Sequence, residues 1–291
     1  MTDIKTGDIV CRKSYGSDIF FKVKEIQCDE NGKKCAILKG MSVRLVADAP
    51  LDDLVKKNAH EILEFRHDFI LESARQIHLI RQKMEREKSL LFRSHGKLEQ
   101  NAELIFDLPG TVVHIDGDEE YLEKCLDVYE QLEVPVKGFY IAEKDQPKQV
   151  TKILEKHTPD ILVITGHDAI LKETSDFKDL NNYRNSKYFV ETVKAARKTE
   201  LSKDDLVIFA GACQSHYEAI LKAGANFASS PQRILIHAYD PVFIVAKLAY
   251  TSIKNTIDAE KLMEDTVTGP DGVGGIETRG RYRLGYPRSP Y

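Results

Sequence analysis

The spacing of apolar and polar positions changes twice along the chain. Between residues 7 and 48 apolar residues come in short runs broken by Gly, Asp and Lys. That pattern predicts strands at Asp8–Arg12, Ile19–Ile26, Lys34–Leu38 and Val43–Val46, with Asn31-Gly32 as a tight hairpin turn. From 51 to 100 the spacing is helical: Ile62, Phe65, Phe69, Ile77, Ile80, Met84 and Leu91 share one face of a highly charged stretch, which Ser94-His95-Gly96 ends or interrupts. Beyond Pro109 strands and helices alternate. Strands are predicted at Thr111–Asp116, Val134–Ile141, Ile161–Thr165, Leu206–Ala210 and Ile234–His237, and helices at Glu119–Gln131, Lys148–His157, Tyr188–Arg197 and Val242–Lys254. Short strands that are apolar throughout and joined by helices belong to a mostly parallel sheet with helices on both faces. The Gly- and Arg-rich tail from Gly269 reads as loop.

Three segments follow: a small SH3-like β-barrel over 1–50, a charged helical connector over 51–104 and an α/β domain over 105–291. The barrel is suited to holding a peptide or partner, or to capping the larger domain. The apolar stripe of the connector either packs on that domain or joins two copies in a homodimer. Every candidate reactive residue lies beyond Pro109, so residues 1–100 are expected to be dispensable for chemistry.

Composition narrows the class. Hydrophobic content of 42% and charged content of 30% are those of a globular protein. A net charge of −4 without a basic block gives nucleic-acid binding no support. No apolar run approaches the ~20 residues of a membrane span. The amino terminus does not resemble a signal peptide, and five cysteines without an export signal suit free thiols in a reducing cytoplasm.

Two strand ends carry candidate chemistry. Leu162-Val163-Ile164-Thr165-Gly166 runs out at His167, and Leu206-Val207-Ile208-Phe209-Ala210-Gly211-Ala212 at Cys213. Parallel sheets place their sites at such carboxyl ends. A thiol needs a base to become a thiolate nucleophile, and a nearby imidazole supplies one. A helix over 214–223 would favour the anion, and small Gly211 and Ala212 leave room for an oxyanion at backbone N–H groups. His114, His216 and His237 compete with His167. Read instead as a nucleophile elbow, Gly211-Ala212-Cys213-Gln214-Ser215 takes its histidine from downstream, which favours His237 and an amidotransferase-like hydrolase. Asp116-Gly117-Asp118-Glu119-Glu120 reads as a helix N-cap with an acidic first turn, and alternatively as a cation site. Gly272-Val273-Gly274-Gly275 lacks a dinucleotide or phosphate fingerprint, and the Cys and His spacings assemble no zinc site.

The paired strand ends resemble caspase-like cysteine proteases, in which a strand-His precedes a strand-Ala-Cys by about 50 residues. Longer runs resemble the YabG family of sporulation-specific proteases from end to end. They include Arg12-Lys13-Ser14-Tyr15, Val43-Arg44-Leu45, His114-Ile115-Asp116-Gly117-Asp118, Pro159–Asp168, Leu206–His216, Ala223–Pro231 and Gly274–Gly280. The resemblance implies a cysteine endopeptidase that needs no cofactor, with His167 and Cys213 as its catalytic pair. It implies spore coat and cortex-associated proteins as substrates, in the mother-cell cytoplasm of the sporangium. Caspase-like enzymes place Gly directly after the histidine; here Gly166 precedes His167 and Asp168 follows it, so the Asp168 N–H joins Gly166 and Ala212 as a candidate oxyanion donor. Arg-cleaving relatives of that fold imply a basic residue before the cut and a carboxylate to receive it: Asp240, Asp168 or Glu277. A non-catalytic coat-assembly adaptor is the contrasting reading. Thiol alkylation is expected to separate the two, by labelling Cys213 at mild pH while sparing Cys125.

Overall fold

The computed structural model describes residues 3–28, 32–95, 104–171 and 176–289. Asn31 and Gly96, expected in a turn and at a helix end, lie outside the described residues. Strands β1 (Ile9–Arg12), β2 (Phe21–Cys28), β3 (Lys34–Gly40), β4 (Val46–Pro50) and β5 (Leu54–Lys56) form an antiparallel sheet in the order β4-β3-β2-β1-β5. Alternation along them buries Val10, Phe21, Val23, Ala36, Leu38, Ala49 and Leu54 in one cluster. The expected strand at Val43–Val46 instead begins at Val46. Val43 and Arg44 leave this sheet toward the α/β part: Val43 forms an isolated bridge with His237, and Arg44 is completely buried against Asp116. Strand β5 takes the first sheet past residue 50.

Helix α1 (Ala59–His95) and strand β6 (Phe106–Leu108) lead into the α/β part. There follow β7 (Val112–Asp116), α2 (Glu119–Gln131), β8 (Val136–Tyr140), α3 (Gln146–His157), β9 (Ile161–Thr165), α4 (Ser186–Thr199), β10 (Val207–Ala210), α5 (Tyr217–Ala223), β11 (Phe227–Ser229), α6 (Asp240–Tyr250), β12 (Thr256–Ile257), α7 (Ala259–Met263), β13 (Val273–Gly275), β14 (Thr278–Arg279) and β15 (Arg283–Gly285). The central sheet has the order β13-β11-β10-β9-β7-β8; β7 to β11 run parallel and β13 antiparallel. The strand order reverses between β7 and β9, which creates a switch point at their carboxyl ends.

Alternation divides the sheet cleanly. Val112, Ile161, Val163, Val207, Phe209 and Phe227 pack with α1, α2 and α6, whereas Val113, Leu162, Ile164, Ile208 and Ala228 pack with α3, α4 and α5. Two expectations fail. Ile234–His237 is no strand, and the chain places β11 in the sheet instead. Part of the Gly-rich tail is the edge strand β13, because a Cβ at Gly275 would strike Phe227 and the Asn226 carbonyl, and one at Gly274 the Tyr217 hydroxyl.

In α1, Ile77, Ile80 and Met84 enter the core with α2 and α6, and Lys247–Glu87, Lys83–Asp265 and Lys88–Asp107 ion pairs flank them. Its first half exposes Leu63, Ile70 and Leu71. No described helix is long and apolar enough to cross a membrane. Ile80→Ala is expected to cost about 2–5 kcal/mol, and Ile70→Ala less than about 0.5 kcal/mol. Urea midpoints check this; equal losses at the two positions would contradict the packing.

Candidate active site

Three strands deliver polar side chains to the switch point. After β7 come Gly117 and Asp118, after β8 Glu143, and after β9 Gly166, His167 and Asp168; Cys213 follows the neighbouring β10. Asp118 caps α2 by accepting the Tyr121 N–H at 3.0 Å, the N-cap role expected of the acidic cluster. Lys39, reaching over from β3, pairs with Asp118 at 2.7 Å and with Glu120 at 3.0 Å.

Beneath the site lies a buried ionic network. Arg44 pairs with Asp116 and donates to the Cys125 sulfur at 3.1 Å, and Asp116 also accepts from Thr165 at 2.9 Å. Burial raises the Asp116 pKa, but the Arg44 charge and the His114 side chain outweigh it and hold the carboxyl well below its ordinary value. The Thr165 hydroxyl also meets the His114 ring at 2.7 Å, and burial disfavours protonation of that ring. His114 is thus a member of this network and lies away from the thiol turn.

The His167 ring sits between two carboxylates. Nε2 is 3.3 Å from Asp118 and Nδ1 3.6 Å from Glu143, and Tyr121 lies edge-on at 6.0 Å between ring centroids. The His167 backbone N–H donates to Glu143 at 2.7 Å, and its carbonyl accepts from Asn185 at 2.8 Å.

Cys213 is fully buried. Its sulfur accepts the Ile236 N–H at 3.3 Å, and the thiol faces the Ile236 carbonyl at 3.8 Å. Burial pushes the thiol up to about 11, against the opposing N–H groups of Ile236 and Arg44 and the Arg44 charge. Cys125, equally buried, is also pushed up to about 11. Both thiols are fully buried in this conformation, so the contrast in exposure expected between Cys213 and Cys125 is absent from it. The segment expected to be a strand, 234–237, is instead the cover over the sulfur.

The turn after Cys213 is sharp: Gly211 has φ 115° and Gln214 φ 57°, a left-handed conformation that costs a residue with a side chain roughly 1–2 kcal/mol. Helix α5 starts only at Tyr217, so the sulfur is not at a helix N-terminus as expected. Asp168 ties the two loops together. One carboxylate oxygen accepts from Ser215 at 3.0 Å and from Ser186, and the other from the N–H groups of Ala169 and Asn185. Ser215 in turn accepts the Ala212 N–H at 2.9 Å, so that candidate oxyanion donor is occupied. Burial pushes Asp168 up to about 6.

The other expected residues sit elsewhere. Asp240 is buried at the start of α6, where it accepts the N–H groups of Val267 and Thr268. Glu277 is exposed between β13 and β14. His237 is stacked against Phe69 and Phe243, and burial lowers its pKa to about 4. Glu143, Lys39 and Arg44 were missed as site residues. For Glu143 the available sign was the pair of strand-end glycines, Gly117 and Gly166, between which its carboxylate lies.

A cleft of about 770 Å³ opens beside this turn, lined by Asp18, Phe21, Leu45 and Asp48 from the first sheet and by Ile170 and Gln214 from the second. Residues 1–100, expected to be dispensable for chemistry, contribute Lys39, Arg44 and this cleft wall to the surroundings of the candidate site.

Polar side chains gathered at the switch point of a mostly parallel α/β sheet, with a cleft beside them at Ala169, Ile170 and Gln214, form a site of the kind that α/β enzymes use. The model of the YabG peptidase family, peptidase U57, matches residues 5–287. The sporulation-specific protease YabG of Bacillus subtilis (strain 168) is 47% identical over 283 residues, which cover 97% of this chain and 97% of that protein. The chain belongs to the YabG peptidase family and is a peptidase.

Arg44→Met is expected to cost about 3–5 kcal/mol, because it strands a buried carboxylate; Arg44→Met with Asp116→Asn should recover part of the loss. The lowered Asp116 value makes the wild-type pair fully stabilising above about pH 4 and progressively lost in acid. Urea unfolding from pH 2 to 7 reads both effects; an unchanged Arg44→Met midpoint at pH 7 would contradict them.

Proposed function

We propose that this protein is a sporulation cysteine endopeptidase, with Cys213 as nucleophile and His167 as acid and base. It cleaves spore coat and cortex-associated precursor proteins in the mother-cell cytoplasm and uses no cofactor. The observation that carries this reading is the arrival of His167 and Cys213 at the carboxyl ends of adjacent parallel strands, their loops tied through Asp168 and Ser215, in a chain of a peptidase family. The sporulation setting comes from the name of the Bacillus subtilis relative. We read the 105–291 unit as caspase-like and the first sheet as SH3-like; one antiparallel edge strand beside five parallel ones supports the former.

In this mechanism the 234–237 cover moves aside as the substrate enters. His167 takes the Cys213 proton, and the thiolate adds to the scissile carbonyl. The N–H groups of Asp168 and Cys213 receive the oxyanion. Collapse to a Cys213 thioester expels the amine, which takes its proton from His167. Water, deprotonated by His167, then hydrolyses the thioester and restores the thiol. We place the preference for a substrate Arg or Lys on the cleft carboxylate Asp18 or on exposed Glu277, because Asp168 and Asp240 are turned inward onto backbone N–H groups and hydroxyls. The amidotransferase-like alternative would pair Cys213 with His237, whose neighbour Ile236 meets the sulfur but whose ring burial holds at a pKa of about 4.

Cys213→Ala and His167→Ala should each abolish cleavage of a purified coat protein while leaving the melting temperature within a few degrees of wild type; His237→Ala should remain active. Cleavage retained by either of the first two would remove the pair, and an inactive His237→Ala beside an active His167→Ala would favour the elbow chemistry. In a peptide-library digest the residue before the cut should be basic, and Asp18→Ala or Glu277→Ala should weaken that preference selectively. A flat profile would end the specificity assignment.

A further inference from the structure

We propose that Glu143 is the positioning residue of His167, holding both its backbone and its ring from the end of a third strand; this rests on the cysteine-peptidase reading above. The contact is built on both sides. Glu143 Oε1 accepts the His167 N–H at 2.7 Å and stands 3.6 Å from Nδ1. The carboxylate lies where a Cβ on either Gly117 or Gly166 would be, so each of these strand ends must be glycine for Glu143 to reach the imidazole.

Asp118 is nearer to the ring, 3.3 Å from Nε2, but is otherwise engaged. It caps α2 and is neutralised by Lys39 at 2.7 Å. Among the described residues no Lys or Arg pairs with Glu143, so its charge is directed at His167 alone. The ring contact is longer than an aligned hydrogen bond, as is common before substrate closes a site. The groups facing the ring are Glu143, Asp118 and Tyr121, with Lys39 behind Asp118. A carboxylate on Nδ1 favours the tautomer that carries its proton there and leaves Nε2 as the base.

The test uses the full chain. In histidine-labelled Cys213→Ala protein, nitrogen-15 NMR should find the His167 proton on Nδ1, and Glu143→Gln should shift the population toward Nε2. With Cys213 intact and fluorescein-labelled casein as substrate, Glu143→Gln should lower kcat by roughly 10–100-fold with KM within about twofold, a loss of the size seen when the group orienting a functional histidine is removed. Glu143→Asp, one methylene short, should fall between. Gly166→Ala, which fills the seat and keeps Glu143, should reproduce the loss. A Glu143→Gln variant with the wild-type tautomer, kcat and pH–rate profile would overturn the proposal, as would a loss of activity matched by a fall in melting temperature and unaccompanied by a tautomer change. Cleavage surviving in His167→Ala would instead count against the peptidase assignment of the pair, and the tautomer measurement would still decide whether Glu143 governs the ring.

Discussion

The buried ion pair between Arg44 and Asp116 is the constraint around which the molecule is arranged. Both side chains are completely excluded from solvent, one from the segment between β3 and β4 and one from the carboxyl end of β7. Two charges leave water only where each finds the other and the remaining donors are satisfied. Arg44 approaches that condition, with Nη1 on Asp116 and Nη2 on the Cys125 sulfur while Nε finds no partner, and Asp116 meets it through Thr165 and the Asp118 N–H. The cost of separating them couples the two sheets. It draws residues 41–45 out of the expected strand and across the sheet edge, where the Tyr121 hydroxyl donates to the carbonyls of Gly40 and Val43. The first sheet is therefore part of the wall and floor of the candidate site.

Above that pair the switch point explains where the candidate site residues fall. Successive parallel strands end side by side, so residues far apart in sequence emerge together: Asp118, Glu143, His167 and Cys213 come from four different strand ends. Small residues make the crowding possible. Gly117 and Gly166 admit a carboxylate, and Gly211 takes a left-handed turn that the following Cys213 needs. In this conformation the site is closed over its thiol. The Ile236 backbone and the Arg44 segment cover Cys213, and the same burial that excludes water keeps the sulfur protonated.

Patterning by itself determined the central architecture. Uniformly apolar runs such as Ile161–Thr165 specify buried parallel strands, because both faces of such a strand must be covered. The helix Glu119–Gln131 was legible to the residue, since Asp118 is a local cap and the apolar spacing is local too. The placement of His167 and Cys213 after β9 and β10 was legible for the same reason: a strand's end fixes where its next residues emerge whatever lies elsewhere. Three-residue β11 and Gly-rich β13 carried too little local pattern to be read. Their strand character comes from hydrogen bonds to neighbours already in place. Likewise only the tertiary structure decided that Arg44 and Lys39 serve the α/β sheet, that Glu143 meets His167, that Asp168 and Asp240 turn inward, and that 234–237 covers a thiol. Each of these depends on a contact between distant parts of the chain, and the free energy of a buried charge or a fitted carboxylate depends on the partner that arrives there.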